Sequence, residues 1–191
     1  MHTTLIACDM SAFGDPRRTR PAHRAMRDTM YTALEYAMDA AGPPWRHCHH
    51  EDRGDGALIT LPPCTPPANI LDPLVHHLHT RLRRSNNLAS AQTRVRLRMA
   101  VHQGTIEHDP HGLVSHAVNH LYRLLDAPAF RRVMYQHPDA DLAVLVSDEV
   151  FRAAADDDAL DPALYTAMPI TCKETRTRAH LWLPPVRRPA R

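Results

Sequence analysis

The feature that most constrains the fold is an alternation of short apolar runs with longer segments in which apolar residues recur every three or four positions. Short runs predict buried strands, and the longer period predicts amphipathic helices. Thr3 to Cys8 is the first run, and Ala22 to Ala41 is the first helical segment, which Gly42-Pro43-Pro44 ends. The order strand-helix-strand-strand-helix-strand-helix-strand-helix-strand-strand predicts an α/β (α+β) fold. We expect a ferredoxin-like βαββαβ core with additional strands and helices.

The later segments repeat this pattern and set the expected boundaries. Two short strands flank the turn Arg53-Gly54-Asp55-Gly56, which is typical of a hairpin. Gly104 to Leu113 is expected to turn through Asp109-Pro110-His111-Gly112 into a short strand or loop. The other predicted elements are helices over Ile70 to Arg84 and Val118 to Met134, a short helix after Ser147, and strands over Val95 to Val101, Leu142 to Ser147, Tyr165 to Lys173 and Ala179 to Leu183.

Composition limits the class of protein. With 43% hydrophobic and 23% charged residues, the 191-residue chain is long enough for one buried core, so residues 1–183 are expected to form a single domain. The basic, proline-rich residues 184–191 are expected to be a disordered tail. A net charge of +2, with basic residues in several places, argues against a nucleic-acid partner.

Cysteine usage and the lengths of the apolar runs indicate the compartment. The four cysteines are widely spread without a CxxC pair, and no secretory signal is visible. No apolar run approaches the ~18 residues that a bilayer-spanning helix requires. We therefore expect a cytoplasmic protein with reduced thiols and no membrane partner.

Two carboxylates stand out by position. Asp9 follows a predicted buried strand, and Asp55 lies in the predicted hairpin turn. Magnesium in proteins is usually held by one or two carboxylates together with substrate phosphates and water, so the pair suits two ions that activate an oxygen nucleophile. The alternatives are structural, because Asp-Gly is a common hairpin turn and an aspartate at a strand end often caps a loop.

A second pair of polar residues lies on a predicted helix. Asn119 and Arg123 are four positions apart and therefore share one helix face. A guanidinium beside a phosphoryl group can stabilise the charge that grows in the transition state. The structural alternative is a solvated helix face, which the spacing alone favours.

Taken in chain order, these residues resemble the catalytic domain of class III adenylate and guanylate cyclases. The match covers most of the chain, from about Leu5 to Leu183. Five segments carry it: Asp9 to Phe13 as the first metal-binding motif, Glu51 to Gly56 as the second, Arg96 to Gly104 as the strand that reads Arg-x-Gly-Ile-His-x-Gly, Val118-Asn119 with Arg123 as the transition-state helix, and Leu142 to Phe151 as the late strand with its Ser-x-x-x-Phe ending.

The resemblance implies a role for each matching residue. Asp9, Met10 and Asp55 would bind two Mg²⁺ or Mn²⁺ ions, which deprotonate the ribose 3′-hydroxyl and clamp the α-phosphate. Asn119 would orient the ribose, and Arg123 would stabilise the pentavalent phosphorus.

Further contacts to the triphosphate are implied in the same way. Backbone amides around Phe13 and Gly14 would contact the β- and γ-phosphates, and Lys173 falls where the family often has a phosphate-binding lysine. In the family the metal aspartates come from one subunit, and the Asn and Arg come from the other. A homodimer with two equivalent sites therefore follows, and a monomer would be inactive.

Base selection depends on two positions. Glu51 stands where adenylate cyclases tend to have Lys and guanylate cyclases Glu; a carboxylate accepts hydrogen bonds from guanine N1–H and its amino group, so GTP is slightly favoured. The second base-reading position aligns with Gly112, where purine cyclases usually have Cys or Asp. The Thr that commonly follows the family Phe is also absent here. These departures leave pyrimidine triphosphates open, and also a domain without turnover.

Histidines invite two other interpretations. His47-Cys48-His49-His50 suggests zinc, but alternate side chains of a strand point to opposite faces, so no three of the four share one face. His102 lies in a predicted strand and is expected to be a packed or hydrogen-bonded core histidine rather than a base.

The sequence thus predicts a nucleotidyl cyclase, a phosphorus–oxygen lyase that converts a nucleoside triphosphate to a 3′,5′-cyclic nucleotide and pyrophosphate. The alternative is a catalytically silent cyclase-homology module that dimerises and binds a nucleotide or a protein as a regulator. A third interpretation keeps the two-metal geometry but assigns other phosphoryl chemistry.

Overall fold

A computed structural model describes residues 1–63, 65–66, 70–109, 112–157 and 160–185. The strands are β1 His2–Met10, β2 His49–Asp52, β3 Gly56–Thr60, β4 Leu97–Thr105, β5 Glu107–Asp109, β6 Gly112–Val114, β7 Leu142–Ser147, β8 Tyr165–Cys172 and β9 Thr175–Trp182. The α-helices are α1 Arg20–Ala41, α2 Val75–Asn86, α3 His116–Leu125, α4 Pro128–Gln136 and α5 Asp148–Asp156. Short 3₁₀ turns cover Trp45–His47 and Pro162–Leu164.

A seven-stranded mixed sheet organises the molecule, with strand order β2-β3-β1-β4-β7-β9-β8. Strand β1 pairs antiparallel with both β3 and β4, which gives β1 to β4 the order of a ferredoxin-like core. Strand β4 then pairs parallel with β7, and the β8–β9 hairpin completes the far edge. Strands β5 and β6 form a separate two-stranded ribbon. The predicted α/β class and mixed sheet are confirmed.

Helices cover both faces of the sheet, because side chains of each central strand alternate between them. Ile6 and Cys8 of β1 belong to the core that includes Met30 of α1. Leu5 and Ala7 belong to the opposite core, which α3 and α4 complete. Asp9 follows Leu5 and Ala7 at every second position of β1, so its side chain points to the same face of the sheet, which α3 and α4 cover. The candidate site begins on this face.

The predicted single helix from Val118 to Met134 is wrong. Helix α3 ends at Leu125, and a new helix begins at Pro128. Proline lacks an N–H donor and disfavours helical geometry in the residue before it, and Ala127 is accordingly extended, with φ −55° and ψ 128°.

Other differences from the predicted elements are local. The helix expected from Ile70 begins with a π-helical turn over Ile70–Leu74, which contains Pro73, and continues as α2. The predicted turn after Gly104 is the β5–β6 ribbon, although Pro110 and His111 lie outside the described residues. Residues 186–191 of the predicted tail also lie outside them. Among the described residues, no helix combines the length and the hydrophobicity needed to cross a bilayer.

Candidate active site

The two predicted metal-binding aspartates lie on adjacent strand ends. Asp9 is paired in register with Gly56, the residue after Asp55. The backbone N–H of Met10 donates to the carbonyl oxygen of Asp55 at 2.8 Å. Burial raises the pKa of Asp9 against the opposing effect of Arg98, and the neighbouring charge of Asp55 raises it further. Asp9, Met10 and Asp55 are therefore brought together, as the sequence motifs predicted.

The turn between β2 and β3 can approach β1 this closely only because it contains glycines. A Cβ on Gly56 would lie 1.9 Å from the carbonyl oxygen of Cys8, which no side chain can occupy. Gly54 has φ 81°, in the left-handed region that favours glycine. The Gly-Asp-Gly sequence thus holds the Asp55 carboxylate beside the end of β1.

Arg98 is the partner of Asp9 that the sequence interpretation did not assign. Its Nε lies 2.9 Å from Oδ1 of Asp9, a second guanidinium nitrogen bonds Oδ2, and another donates to the carbonyl of Leu125 at 3.3 Å. Arg98 is only 7% exposed, so this bidentate ion pair compensates a buried charge. An arginine flanked by buried strand residues, in Leu97-Arg98-Met99, is a signal that such a partner must exist.

The oxygen donors of Asp9, Asp55 and Met10 suit magnesium or manganese as a partial set of ligands. The described residues contain no group of three or more His, Cys, Asp or Glu side chains that could hold a metal ion. Two carboxylates and the Met10 carbonyl are instead a partial set, which Mg²⁺ accepts when substrate phosphates and water complete its octahedron. The Met10 side chain is 2% exposed in the α1–α2 core, so only its main chain is available.

The turn after β1 carries the predicted phosphate-contacting amides. The N–H of Phe13 donates to the Met10 carbonyl at 3.3 Å, so this amide is used inside the turn. The Phe13 ring stacks on His23 at 4.4 Å, and its carbonyl lies 3.0 Å from His23 Nε2. Ala12 has φ 57°, an uncommon conformation for a residue with a side chain. Gly14 follows in the same turn, before the Thr19 cap of α1.

Asn119 and Arg123 line one cavity. It has a volume of about 1050 Å³ and lies between α3, the first turn of α5 and the β8–β9 hairpin; we call it the α3 cavity. Asn119 is exposed in it. Arg123 donates to Oε1 of Glu174 at 2.9 Å, and its buried Nε has no hydrogen-bond partner among the residues that the structure describes. The predicted shared helix face is confirmed, and the cavity has room for a ligand.

Lys173 lies at the tip of the β8–β9 hairpin, directly before Glu174. Its φ of 51° places it in the left-handed region, and its side chain is exposed. Glu174 and Thr175 line the α3 cavity. The hairpin therefore brings the predicted phosphate-binding lysine to the rim of the cavity that Arg123 enters.

The two predicted base-reading positions lie on different elements. Glu51 on the edge strand β2 accepts from Arg53 at 2.5 Å and lies 3.4 Å from His49. Arg53 is placed 5.8 Å from the ring centre of Tyr122, whose hydroxyl is buried. Gly112 lies in β6 of the separate ribbon. Arg53 and Tyr122 thus connect the Glu51 hairpin to the helix of Asn119 and Arg123.

His102 is a core histidine, as predicted. It is 9% exposed, its Nδ1 lies 3.0 Å from Oγ of Ser147, and its ring packs against His120 at 4.6 Å. Burial lowers the pKa of His102 to about 4, with the neighbouring imidazoles acting in the same direction. The ring is therefore neutral near pH 7 and serves to pack β4 against α3.

Comparison with solved structures identifies the fold. The adenylate/guanylate cyclase/hydrolase from Silicibacter pomeroyi superposes with a TM-score of 0.69, at 17% identity, over 97% of this chain and 98% of its own. The guanylyl cyclase Cya2 gives 0.67 at 13% identity, over 96% and 91%. The guanylate cyclase domain of RhGC from Catenaria anguillulae, solved with GTP, gives 0.59 at 14% identity, over 96% of each chain.

No protein-family profile and no curated protein sequence matches the chain. At identities of 13–17% the structural likeness establishes the fold and nothing finer. The resemblance predicted from the motifs is confirmed at that level: this chain has the fold of the adenylate and guanylate cyclase catalytic domains.

Proposed function

We propose that the protein is a nucleotidyl cyclase, which converts a nucleoside triphosphate to a 3′,5′-cyclic nucleotide and pyrophosphate at a homodimer interface. The observation that carries the proposal is the juxtaposition of Asp9 and Asp55 through the Met10–Asp55 hydrogen bond, on a cyclase fold. The second supporting observation is that Asn119 and Arg123 share a cavity large enough for a nucleotide.

The metal half of the site belongs to Asp9, Asp55 and the Met10 carbonyl. Bound Mg²⁺ or Mn²⁺ lowers the pKa of a hydroxyl and neutralises phosphate charge, which favours attack of the ribose 3′-oxygen on the α-phosphorus. The carboxylates fix the position where that oxygen and the α-phosphate meet. Arg98 donates one hydrogen bond to each oxygen of Asp9, which leaves a further lone pair on each oxygen for a metal ion.

Asn119 and Arg123 supply the other half. The exposed Asn119 amide is free to orient the ribose. Arg123 stabilises the charge that grows on the phosphoryl oxygens, and it exchanges the Glu174 carboxylate for phosphate as it does so. Lys173 and the amides of the Phe13–Gly14 turn hold the β- and γ-phosphates that leave as pyrophosphate, and the Phe13 N–H releases the Met10 carbonyl to do so.

Dimerisation is supported by the separation of these two halves within one chain. Neither Asp9 nor Asp55 lines the α3 cavity that Asn119 and Arg123 enter. A two-fold axis can bring the aspartates of each protomer to the α3 cavity of the other. Such a dimer has two equivalent sites. The proposal therefore requires a homodimer.

Glu51 favours guanine as the base. Its carboxylate offers two acceptors for guanine N1–H and the amino group, and the adjacent Arg53 adds donors for guanine O6. The domain of RhGC, which shares the fold, was solved with GTP. Gly112 contributes no side chain, so the discrimination rests on the β2–β3 hairpin.

The test is to incubate the purified protein with each of the four ribonucleoside triphosphates and Mn²⁺, then separate the products by chromatography and mass spectrometry. We expect 3′,5′-cyclic product and pyrophosphate in equal amounts, with GTP as the best substrate. The Asp55→Ala variant is the control for a contaminating enzyme. Failure to form cyclic product from any triphosphate, at high protein concentration, would contradict the proposal and favour a silent module that only binds nucleotide.

A further inference from the structure

We propose that Arg27 of α1 is a positioning residue for the metal half of the site, and that it acts by clamping Asp52 and Gly54 so that Asp55 is held in place. The inference rests on the proposed function, because it concerns the ions that Asp55 would bind. It assigns a role to Arg27 and Tyr31 of α1, which lie outside every motif that the sequence analysis identified.

Four hydrogen bonds converge on the carboxylate of Asp52. Arg27 donates two of them, at 2.9 and 2.8 Å, from its two terminal nitrogens. The hydroxyl of Tyr31, one helical turn further along α1, donates at 2.8 Å. The backbone N–H of Gly54 donates the fourth, at 3.1 Å. Asp52 is thus tied to both the helix and the turn.

Arg27 also reaches the turn directly. A terminal nitrogen of its guanidinium donates to the carbonyl oxygen of Gly54. Both backbone polar groups of Gly54 are therefore fixed, one by Arg27 and the other by Asp52. Gly54 precedes Asp55 and has φ 81°, which makes it the residue at which this turn would otherwise pivot.

Asp55 is consequently held from two sides. On one side the N–H of Met10 binds its carbonyl, and on the other side the Arg27 clamp fixes the preceding residue. Helix α1 is a firm base for the clamp, because Met26 and Met30 are fully buried against the sheet. The carboxylate that meets the metal is exposed, so its position depends on this backbone rather than on packing.

The clamp is poorly suited to a purely structural role. The side chains of Arg27 and Asp52 are 31% and 54% exposed, and exposed ion pairs contribute little to global stability. A residue that orients a metal ligand, by contrast, typically changes metal affinity tenfold or more when it is replaced. The two roles therefore predict different experimental results.

The experiment compares Arg27→Met with Arg24→Met, which removes the same charge from an exposed position one turn earlier on α1. Free Mn²⁺ is measured by electron paramagnetic resonance during titration, with the 3′-deoxy analogue of each of the four triphosphates in turn. We expect the dissociation constant for Mn²⁺ to rise about tenfold in Arg27→Met. We expect Arg24→Met to match the wild type, and Arg27→Lys to recover part of the loss.

Failure of this inference can be distinguished from failure of the proposed function. If the wild type binds Mn²⁺ and Arg27→Met binds it equally well, the clamp is wrong and the cyclase proposal stands. If the wild type binds no Mn²⁺ with any analogue, both are wrong. If Arg27→Met does not fold, Asp52→Asn and Tyr31→Phe provide the test, since each keeps the side-chain shape; unchanged Mn²⁺ affinity in both would overturn the clamp.

Discussion

At the scale of single residues, the charged groups proposed for catalysis are already paired within their own chain. Asp9 is held by Arg98, and Arg123 is held by Glu174. The first pair is nearly buried, with side chains 16% and 9% exposed, so removal of either partner would leave an uncompensated charge. In the second pair Glu174 is 74% exposed and easily displaced. Substrate phosphate is therefore expected to displace Glu174 from Arg123, whereas the Asp9–Arg98 pair is expected to persist.

Replacement of Glu174 tests the weak partner. In Glu174→Gln, Arg123 loses a competing carboxylate and meets a phosphate without first breaking an ion pair. We expect the dissociation constant of a 3′-deoxy triphosphate to fall about threefold, measured by calorimetry. Glu35→Gln, at an exposed position on α1, is the matched control. Weaker binding in Glu174→Gln would show that Glu174 contacts the ligand itself and would contradict this account.

Gly56 is the residue at which we expect an added methyl group to reduce the stability of the fold most. Its added Cβ would overlap the Cys8 carbonyl at 1.9 Å and force the β2–β3 turn away from β1. We expect Gly56→Ala to cost about 1–3 kcal/mol in the free energy of unfolding and to weaken Mn²⁺ binding. Gly14→Ala, whose Cβ meets nothing within 4 Å, is the stability control. An unchanged urea midpoint for Gly56→Ala would contradict the close approach.

At the scale of elements, the contact between α3 and β4 fixes the α3 cavity. A Cβ on Gly104 would lie 2.5 Å from the Cβ of Ala117, so the helix rests almost directly on the strand. The rings of His102 and His120 pack against each other across the same contact, tilted by 46°. Burial lowers the pKa of both imidazoles, which keeps them neutral in the folded protein.

This contact predicts an acid-sensitive stability. The pKa of His102 falls from 6.5 to about 4 on folding, so the unfolded chain binds the proton more readily. Stability contributed by neutral His102 is present above pH 6.5 and is lost as pH falls from 6.5 towards 4, on the order of 3 kcal/mol in all. Urea denaturation between pH 7 and 4 measures it. We expect a shallower slope in His102→Gln; an identical slope would contradict the assignment.

The sequence could predict the elements that have local signatures and not the contacts between distant ones. Asp9 at a strand end, Asp55 in a hairpin and the common helix face of Asn119 and Arg123 follow from nearby residues alone. The pairs Arg98–Asp9 and Arg27–Asp52 join residues 89 and 25 positions apart, and no local pattern specifies them. The break before Pro128 was accessible from sequence, because proline restricts the residue before it. The helical spacing of apolar residues continues without interruption from Val118 to Met134, and this spacing alone predicts no break.

At the scale of the whole molecule, the proposed site requires two chains. In each chain the aspartates lie at the end of β1 beside the C-terminal end of α3, where Arg98 bonds the Leu125 carbonyl. Asn119 and Arg123 lie on the preceding turns of that helix and face another cavity. Each protomer therefore presents the two proposed halves in separate places, and under the proposed function each half is completed by the complementary half of a partner.

The most direct measurement of this claim is subunit complementation. Asp55→Ala and Arg123→Ala proteins, each inactive alone, are mixed under conditions of subunit exchange and assayed for cyclic nucleotide. Half of the dimers should be mixed, and each of these should hold one intact site, so about a quarter of wild-type activity is predicted. A mixture of Asp9→Ala with Asp55→Ala is the control and should stay inactive, because both losses fall in the same half. If exchange is demonstrated and the first mixture also stays inactive, the shared site is contradicted.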